Sequence, residues 1–255
     1  METNFIKEKV STFIFVHEQE IILDFINKKR FFELENLTYV FLGNRPINKI
    51  ENLNNVIISR KLPFNIEQYP KFTSFTGWYS LIRNNLIKSE IVNLFEYDIN
   101  YVSGITKKID GYISEGYDFI GYFPMLVTDP VYIQISRYSD ILVQSILKKT
   151  NVDLISKINN LYKLNSSLLW SSSSNSTWKV DELIKYVEWF EKFIEDIKDN
   201  EFCGHMHERS ISFYYFIKNL KVLNTQGLMT HFQLNSHGTS PLPKDRFELL
   251  YKNLN

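Results

Sequence analysis

The chain is short of most features that would mark it as secreted, membrane-spanning or polyanion-binding. A single cysteine, Cys203, among 255 residues excludes an intramolecular disulfide framework and suits a reducing compartment, where it is expected to serve as a small buried apolar side chain. No window approaches the ~20 apolar residues that a bilayer-spanning helix needs. The opening METNFIKEKVSTFIFV mixes Glu and Lys into its apolar residues and lacks the core of a signal peptide. Net charge is missing too: 29 basic and 29 acidic side chains cancel, so nothing marks nucleic acid as the default partner. There is no internal repeat. These absences predict a soluble, cytoplasmic protein with no transmembrane segment and no nucleic-acid partner.

What the chain does contain is material for a core. Hydrophobic residues make up 44% and aromatic residues 15%, with charged residues at 23%, which lies outside the composition of disordered chains. A length of 255 residues fits one large domain or two small ones. The apolar runs at 11–17 (STFIFVH), 37–43 (LTYVFLG) and 54–60 (NNVIISR) predict three parallel strands covered on both faces. Between the first two, Ile21, Ile22, Phe25 and Ile26 recur at helical spacing. Phe75, Trp78, Tyr79, Ile82 and Leu86 form a helical stripe over 74–90, and a strand follows at 93–102. The alternation is that of an α/β domain.

Further on, YDFIGYFP (117–124) predicts a short strand, and SDILVQSILKK and VDLISKINNLYKL predict two helices. The serine-rich WSSSSNSTW (170–178) reads as an ordered loop because Trp flanks it on both sides. A long amphipathic helix is expected from Trp178 to Ile197, with Ser176 or Thr177 as its N-cap and Asp181 and Glu182 in its first turn. A second helix begins near His207, a last strand spans 220–224, and a polar tail carries His231 and His237.

Four groups could carry chemistry. Glu96 and Asp98, at i and i+2 where a strand of an open sheet ends, are placed either on a solvated face or around a divalent cation, since such sheets take ligands at the carboxyl ends of their strands. Glu208, at the start of an aromatic-rich helix, either offsets the helix dipole or faces a cleft as base or substrate clamp, with Arg209 turned inward to another acid. His205 and His207 lack the third and fourth partners of a zinc site. Arg83 with Asn84 precedes the acid-bearing strand and offers a guanidinium fork suited to phosphate, although a surface Arg is the commoner case.

In their order along the chain, these segments resemble the GT-A glycosyltransferases that use nucleotide-diphospho-sugars, in particular a small group found in microbial capsule clusters and large DNA viruses. FIFVHE resembles the nucleotide-facing first strand, FTGWYSLIRNN the family's aromatic helix ending in a basic residue and Asn, and EYDIN its metal-binding Asp-x-Asp. SSNSTWKVDELIKYVEWFEKF is similar to the family's Asn-bearing loop and the helix after it, through Asn175, Tyr186, Trp189 and Phe190. GHMHERSISFYY is similar to Gly-x-x-x-Glu-Arg, through Gly204, Glu208 and Arg209.

The resemblance implies a GT-A (Rossmann-like) α/β fold: a mixed, mainly parallel sheet flanked by helices in a single domain. Residues 1–102 would form the nucleotide-binding half and 103–255 the acceptor and sugar half with the C-terminal tail. It implies transfer of a hexosyl or deoxyhexosyl unit from a nucleotide-sugar, UDP-sugar favoured, to a carbohydrate acceptor in polysaccharide biosynthesis. Glu96, Asp98 and His237 would hold Mn²⁺ or Mg²⁺; His17, Arg83, Asn84, Ser174 and Asn175 would contact the donor; Glu208 would act as base or clamp. The family's first acid is Asp where this chain has Glu96, which shifts weight to Asp98. A nucleotidyltransferase is the rival enzyme, disfavoured because no glycine-rich basic loop follows the first strand. A carbohydrate-binding protein of the same fold is the non-catalytic rival.

Overall fold

The computed structural model describes residues 9–127, 139–165, 167–171 and 173–231. The first apolar run becomes β1 (Val10–Val16), buried along its whole length. Its side chains alternate between two apolar clusters: Phe13 and Phe15 enter one, Ile14 and Val16 the other. β2 (Leu37–Phe41) and β3 (Val56–Ile58) extend the sheet in parallel on one side, and β4 (Ile91–Glu96) pairs in parallel on the other. The remaining described strands are β5 (Ile99–Tyr101), β6 (Phe119–Gly121), β7 (Pro124–Leu126), β8 (Leu169–Ser171), β9 (Ser176–Lys179), β10 (Val222–Asn224) and β11 (Met229–His231).

The main sheet has seven strands in the order β10-β6-β9-β4-β1-β2-β3. Only β9 runs against its neighbours β4 and β6, so the expected mixed, mainly parallel sheet is found. Two small antiparallel pairs, β5 with β11 and β7 with β8, stand outside it.

The described helices are α1 (Gln19–Asn27), α2 (Ser74–Arg83), α3 (Ile105–Ser114), α4 (Asp140–Thr150), α5 (Leu154–Leu164), α6 (Val180–Glu191), α7 (Ile194–Ile197) and α8 (Cys203–Lys218). α1 and α3 cover one face of the sheet with Ile22, Phe25, Ile105 and Ile109. The others pack on the opposite face, where Trp78, Trp178, Tyr186 and Phe190 form the centre of an aromatic core. Cys203 lies in that core as expected, and burial pushes its thiol up to about 11. Among the described residues, no helix is long and apolar enough to cross a membrane.

Four expectations need correction. The run at 93–102 is two strands, because β5 leaves the main sheet to pair with β11. The serine-rich stretch is largely strand: β9, in the middle of the sheet, begins at Ser176. Ser176 and Thr177 therefore belong to β9, and Lys179 stands at the helix start without a side-chain cap. The long helix divides, since the turn at Lys192–Phe193 separates α6 from α7.

A polar seam explains how hydroxyl-rich residues tolerate the sheet interior. Asn93 on β4 donates to Thr12 on β1 at 3.0 Å and accepts from Thr177 on β9 at 2.6 Å, and Tyr122 shares a 2.7 Å hydrogen bond with Thr177. Every member is buried. Each such bond contributes about 0.5–1.5 kcal/mol, and a member left without its partner would cost more. The seam favours one register for β9 against β4, because a one-residue slip would turn these groups to the other face.

Candidate active site

The carboxyl ends of β4, β1 and β6 point the same way, and the side chains of interest converge there. Glu96 is the last residue of β4, and Asp98 lies in the turn before β5. The β4–β9 ladder ends at Leu94 opposite Ser176. Beyond that point Asn175 continues the pairing with its side chain: its Oδ1 accepts the Glu96 backbone N–H at 2.7 Å, and its amide donates to Ser173 Oγ at 2.8 Å. Ser174 Oγ donates to Glu96 Oε1 at 3.0 Å. The loop at 173–175 thus grips Glu96 at both backbone and carboxylate.

Asp98 is buried, and His231 Nδ1 approaches its Oδ2 at 3.6 Å. β11 brings the histidine there by pairing His231 with Ile99 one residue beyond Asp98. Phe123 stacks on the imidazole at 4.4 Å. Burial opposes the charged imidazolium. Asp98, then Glu96 and Glu208, outweigh it and raise the His231 pKa above the ordinary value. Glu96 is pushed up to about 7, by burial first and then by the neighbouring Asp98 and Glu208 carboxylates.

Glu208 projects from the second turn of α8. Its Oε2 accepts from Arg209 Nη1 at 2.6 Å, with His205 Nδ1 at 3.4 Å. Burial works against ionisation here, but His205 and Arg209 together hold the carboxyl below its usual range. Arg209 also lies over the Trp170 ring at 4.9 Å, and the acid seen paired with it among the described residues is its own neighbour Glu208. His207 turns the other way, into the aromatic core against Phe75 and Trp78, which separates it from His205.

α8 can begin where it does because residue 204 is glycine. A Cβ there would lie 2.6 Å from the carbonyl oxygen of Lys71, in a 3-10 turn (Pro70–Phe72) whose backbone cannot yield. Gly204→Ala is expected to displace the first turn of α8 and cost about 1–3 kcal/mol. Scanning calorimetry should show a midpoint lower by roughly 2–10 °C. An unchanged midpoint would mean that the helix start is not constrained by this contact.

The site expectations divide by location. Glu96, Asp98, Glu208, Ser174 and Asn175 are brought together. His17 follows β1 on the same side of the sheet, with its ring 5.1 Å from Tyr97. Arg83 and Asn84 lie at the far end of α2, roughly 13 Å along its axis from Ser74. Arg83 pairs with Glu191 on α6, and Asn84 bonds the Phe64 backbone in both directions, at 2.7 and 3.3 Å. Both tie α2 to its neighbours, a placement that does not support the donor contacts expected of them. His237 is outside the described residues. Ser74 is not singled out by the sequence; His237 is favoured there over His231 for the Gly238 and Thr239 beside it, whereas of the two histidines the described residues include only His231, which lies beside Asp98.

The groups that could hold a divalent cation are the Glu96 and Asp98 carboxylates and the His231 imidazole, an oxygen-and-nitrogen set that suits Mn²⁺. With Glu208 the cluster has three carboxyl groups facing His231 and Arg209, a charge balance that a cation would improve. Among the described residues, no three His, Cys, Asp or Glu side chains are close enough to enclose an ion. These three groups therefore do not by themselves form a closed metal site: a cation would rest on one or two of them, with other oxygens completing its shell.

No family model and no curated protein sequence matches the chain. Its fold does match solved structures. Among them is the apo structure of WbbM, a bifunctional glycosyltransferase, at a TM-score of 0.61 and 13% identity over 88% of this chain. The chain spans 45% of that protein's length. The fold is therefore the Rossmann-like α/β architecture found in a glycosyltransferase.

Proposed function

We propose that the protein is a metal-dependent glycosyltransferase that moves a sugar from a nucleotide-diphospho-sugar, UDP-sugar favoured, to a carbohydrate hydroxyl in glycan synthesis. The observation that carries this reading is the convergence of Glu96, Asp98, His231 and Glu208 at the carboxyl edge of a sheet whose fold a glycosyltransferase shares.

A bound Mn²⁺ or Mg²⁺ would neutralise charge on the departing diphosphate. Glu96 and Asp98 would hold it, with His231 beside Asp98 and oxygens of the donor diphosphate completing the shell. Asn175 and Ser174 would keep Glu96 aimed at that position and wall the sugar pocket. In an inverting transfer, the acceptor oxygen forms a bond to the anomeric carbon as the bond to the diphosphate oxygen breaks. Glu208 takes the hydroxyl proton in that step, and Arg209 and His205 favour the ionised carboxylate that a base must present. In a retaining transfer, Glu208 grips a sugar hydroxyl instead.

Thermal shift with a panel of nucleotide-sugars tests the donor. At about 100 times Kd, a ligand specific to the native state should raise the melting midpoint by roughly 5–10 °C. Calorimetry with UDP and Mn²⁺ should then show binding that each ligand strengthens for the other and that Asp98→Ala abolishes. Nucleotide binding indifferent to metal and to Asp98→Ala would rule out the proposed site. Saccharide binding without any nucleotide binding would favour the non-catalytic alternative.

A further inference from the structure

Ser74 is the first residue of α2 and is buried at 3% exposure, yet its hydroxyl does not serve its own helix. It donates to Ser174 Oγ at 3.0 Å, and Ser174 in turn donates to Glu96 Oε1 at 3.0 Å. The direction of this chain is set by its end. With Glu96 ionised, as a metal ligand is, its carboxylate can only accept, so Ser174 gives its one hydrogen to Glu96 and engages Ser74 as an acceptor. Ser74 is then the donor that holds the Ser174 hydroxyl in the rotamer facing Glu96. Successive hydroxyls aligned in this way polarise one another and strengthen the last bond.

We infer that Ser74 is a positioning residue for the metal-binding carboxylate, acting through Ser174 and touching neither metal nor substrate. The inference rests on the metal site proposed above. It adds a residue 22 positions before Glu96 in sequence, from the helix on which Arg83 and Asn84 had been expected to act. The amino end of α2, not its carboxyl end, is the part that serves the site.

Binding of Mn²⁺ alone, followed by electron paramagnetic resonance of the free ion, gives a readout independent of turnover. The parent chain should take up Mn²⁺ and Asp98→Ala should not. Ser174→Ala should weaken uptake by about 10–100-fold, as loss of an outer partner to a metal ligand does. Ser74→Ala should weaken it by about fivefold. In the Ser174→Ala background, the further effect of Ser74→Ala should fall below about twofold, because the path through Ser174 is already cut. Ser74→Thr, which keeps the hydroxyl, should retain parent affinity, and Ser74→Cys, whose thiol is a weak donor, should weaken uptake severalfold and carries the test should Ser74→Ala fail to fold.

Unchanged affinity in a folded Ser74→Ala, or an undiminished Ser74→Ala effect in the Ser174→Ala background, would overturn the inference and leave the metal site standing. Absence of Mn²⁺ uptake by the parent chain would overturn the metal site, and the inference with it.

Discussion

Asp98→Asn is expected to lower the rate of sugar transfer by about 10²–10³-fold while the protein stays folded. The substitution is isosteric and removes one negative charge from a side chain that is only 2% exposed. Asp98 has two tasks in the proposed site. It supplies an oxygen to the cation, and it faces His231 at 3.6 Å, which keeps that imidazole in place. Asparagine keeps the size but donates where the carboxylate accepted, so both relations fail together. Because the cation would act on charge developing as the diphosphate leaves, most of the loss should fall on kcat. Glu96→Gln should cost less, about tenfold, because Ser174 still holds the side chain, Asn175 still holds the backbone, and Asp98 remains to bind the metal. Steady-state kinetics under saturating Mn²⁺ would check this. A variant at position 98 with full kcat would remove Asp98 from the metal site.

The second large effect concerns acid stability. His207 is fully buried in the aromatic core, close to Phe75, Trp78 and Phe190, and neither ring nitrogen has a hydrogen-bond partner among the described residues. Burial pushes its pKa down to about 3. An unfolded chain would protonate the same imidazole near 6.5. Between those values the unfolded state binds more protons, so stability is lost as pH falls from about 6.5 towards 3. The full window corresponds to roughly 4–5 kcal/mol, and the part between pH 6.5 and pH 5 to about 2 kcal/mol.

His207→Leu removes the titrating group and replaces two unsatisfied nitrogens with apolar surface, which costs little at neutral pH. Urea unfolding at pH 7.5 and pH 5 should therefore show the parent losing about 2 kcal/mol more than His207→Leu over that interval. Equal losses would mean that His207 finds a partner or becomes protonated without unfolding. Placement of the residue also bears on function: with His207 held in the core, the next residue, Glu208, lies about 100° further round α8 and close enough to act on Glu96.

Much of the fold was legible in the sequence because hydrophobic periodicity reports burial directly. The near-continuous apolar runs became β1, β2 and β3, and Val180, Leu183, Val187 and Phe190, recurring at helical spacing, became part of the buried face of α6. The single cysteine and balanced charge bounded the chemistry. The presence of acids at the end of β4, and of a Glu-Arg pair early in α8, followed from their order along the chain.

Other features depend on partners distant in sequence, which no local pattern encodes. Serine and asparagine favour loops, yet residues 176–179 form a central strand because Asn93, Thr12 and Tyr122 satisfy Thr177 across the sheet. Glu96 and Asp98 are brought to one site by the turn between β4 and β5, where β11 draws β5 out of the main sheet. The same pairing selects His231. Arg83 carries the chemistry suited to phosphate, but Glu191 lies within its reach and occupies it. The sequence by itself determined which segments could be buried and which residues carry ionisable groups. Tertiary structure alone decided which of those groups meet across the site, because the bonds between Glu96 and residues 174 and 175, and the approach of His231 to Asp98, join residues that are adjacent only after the sheet has formed.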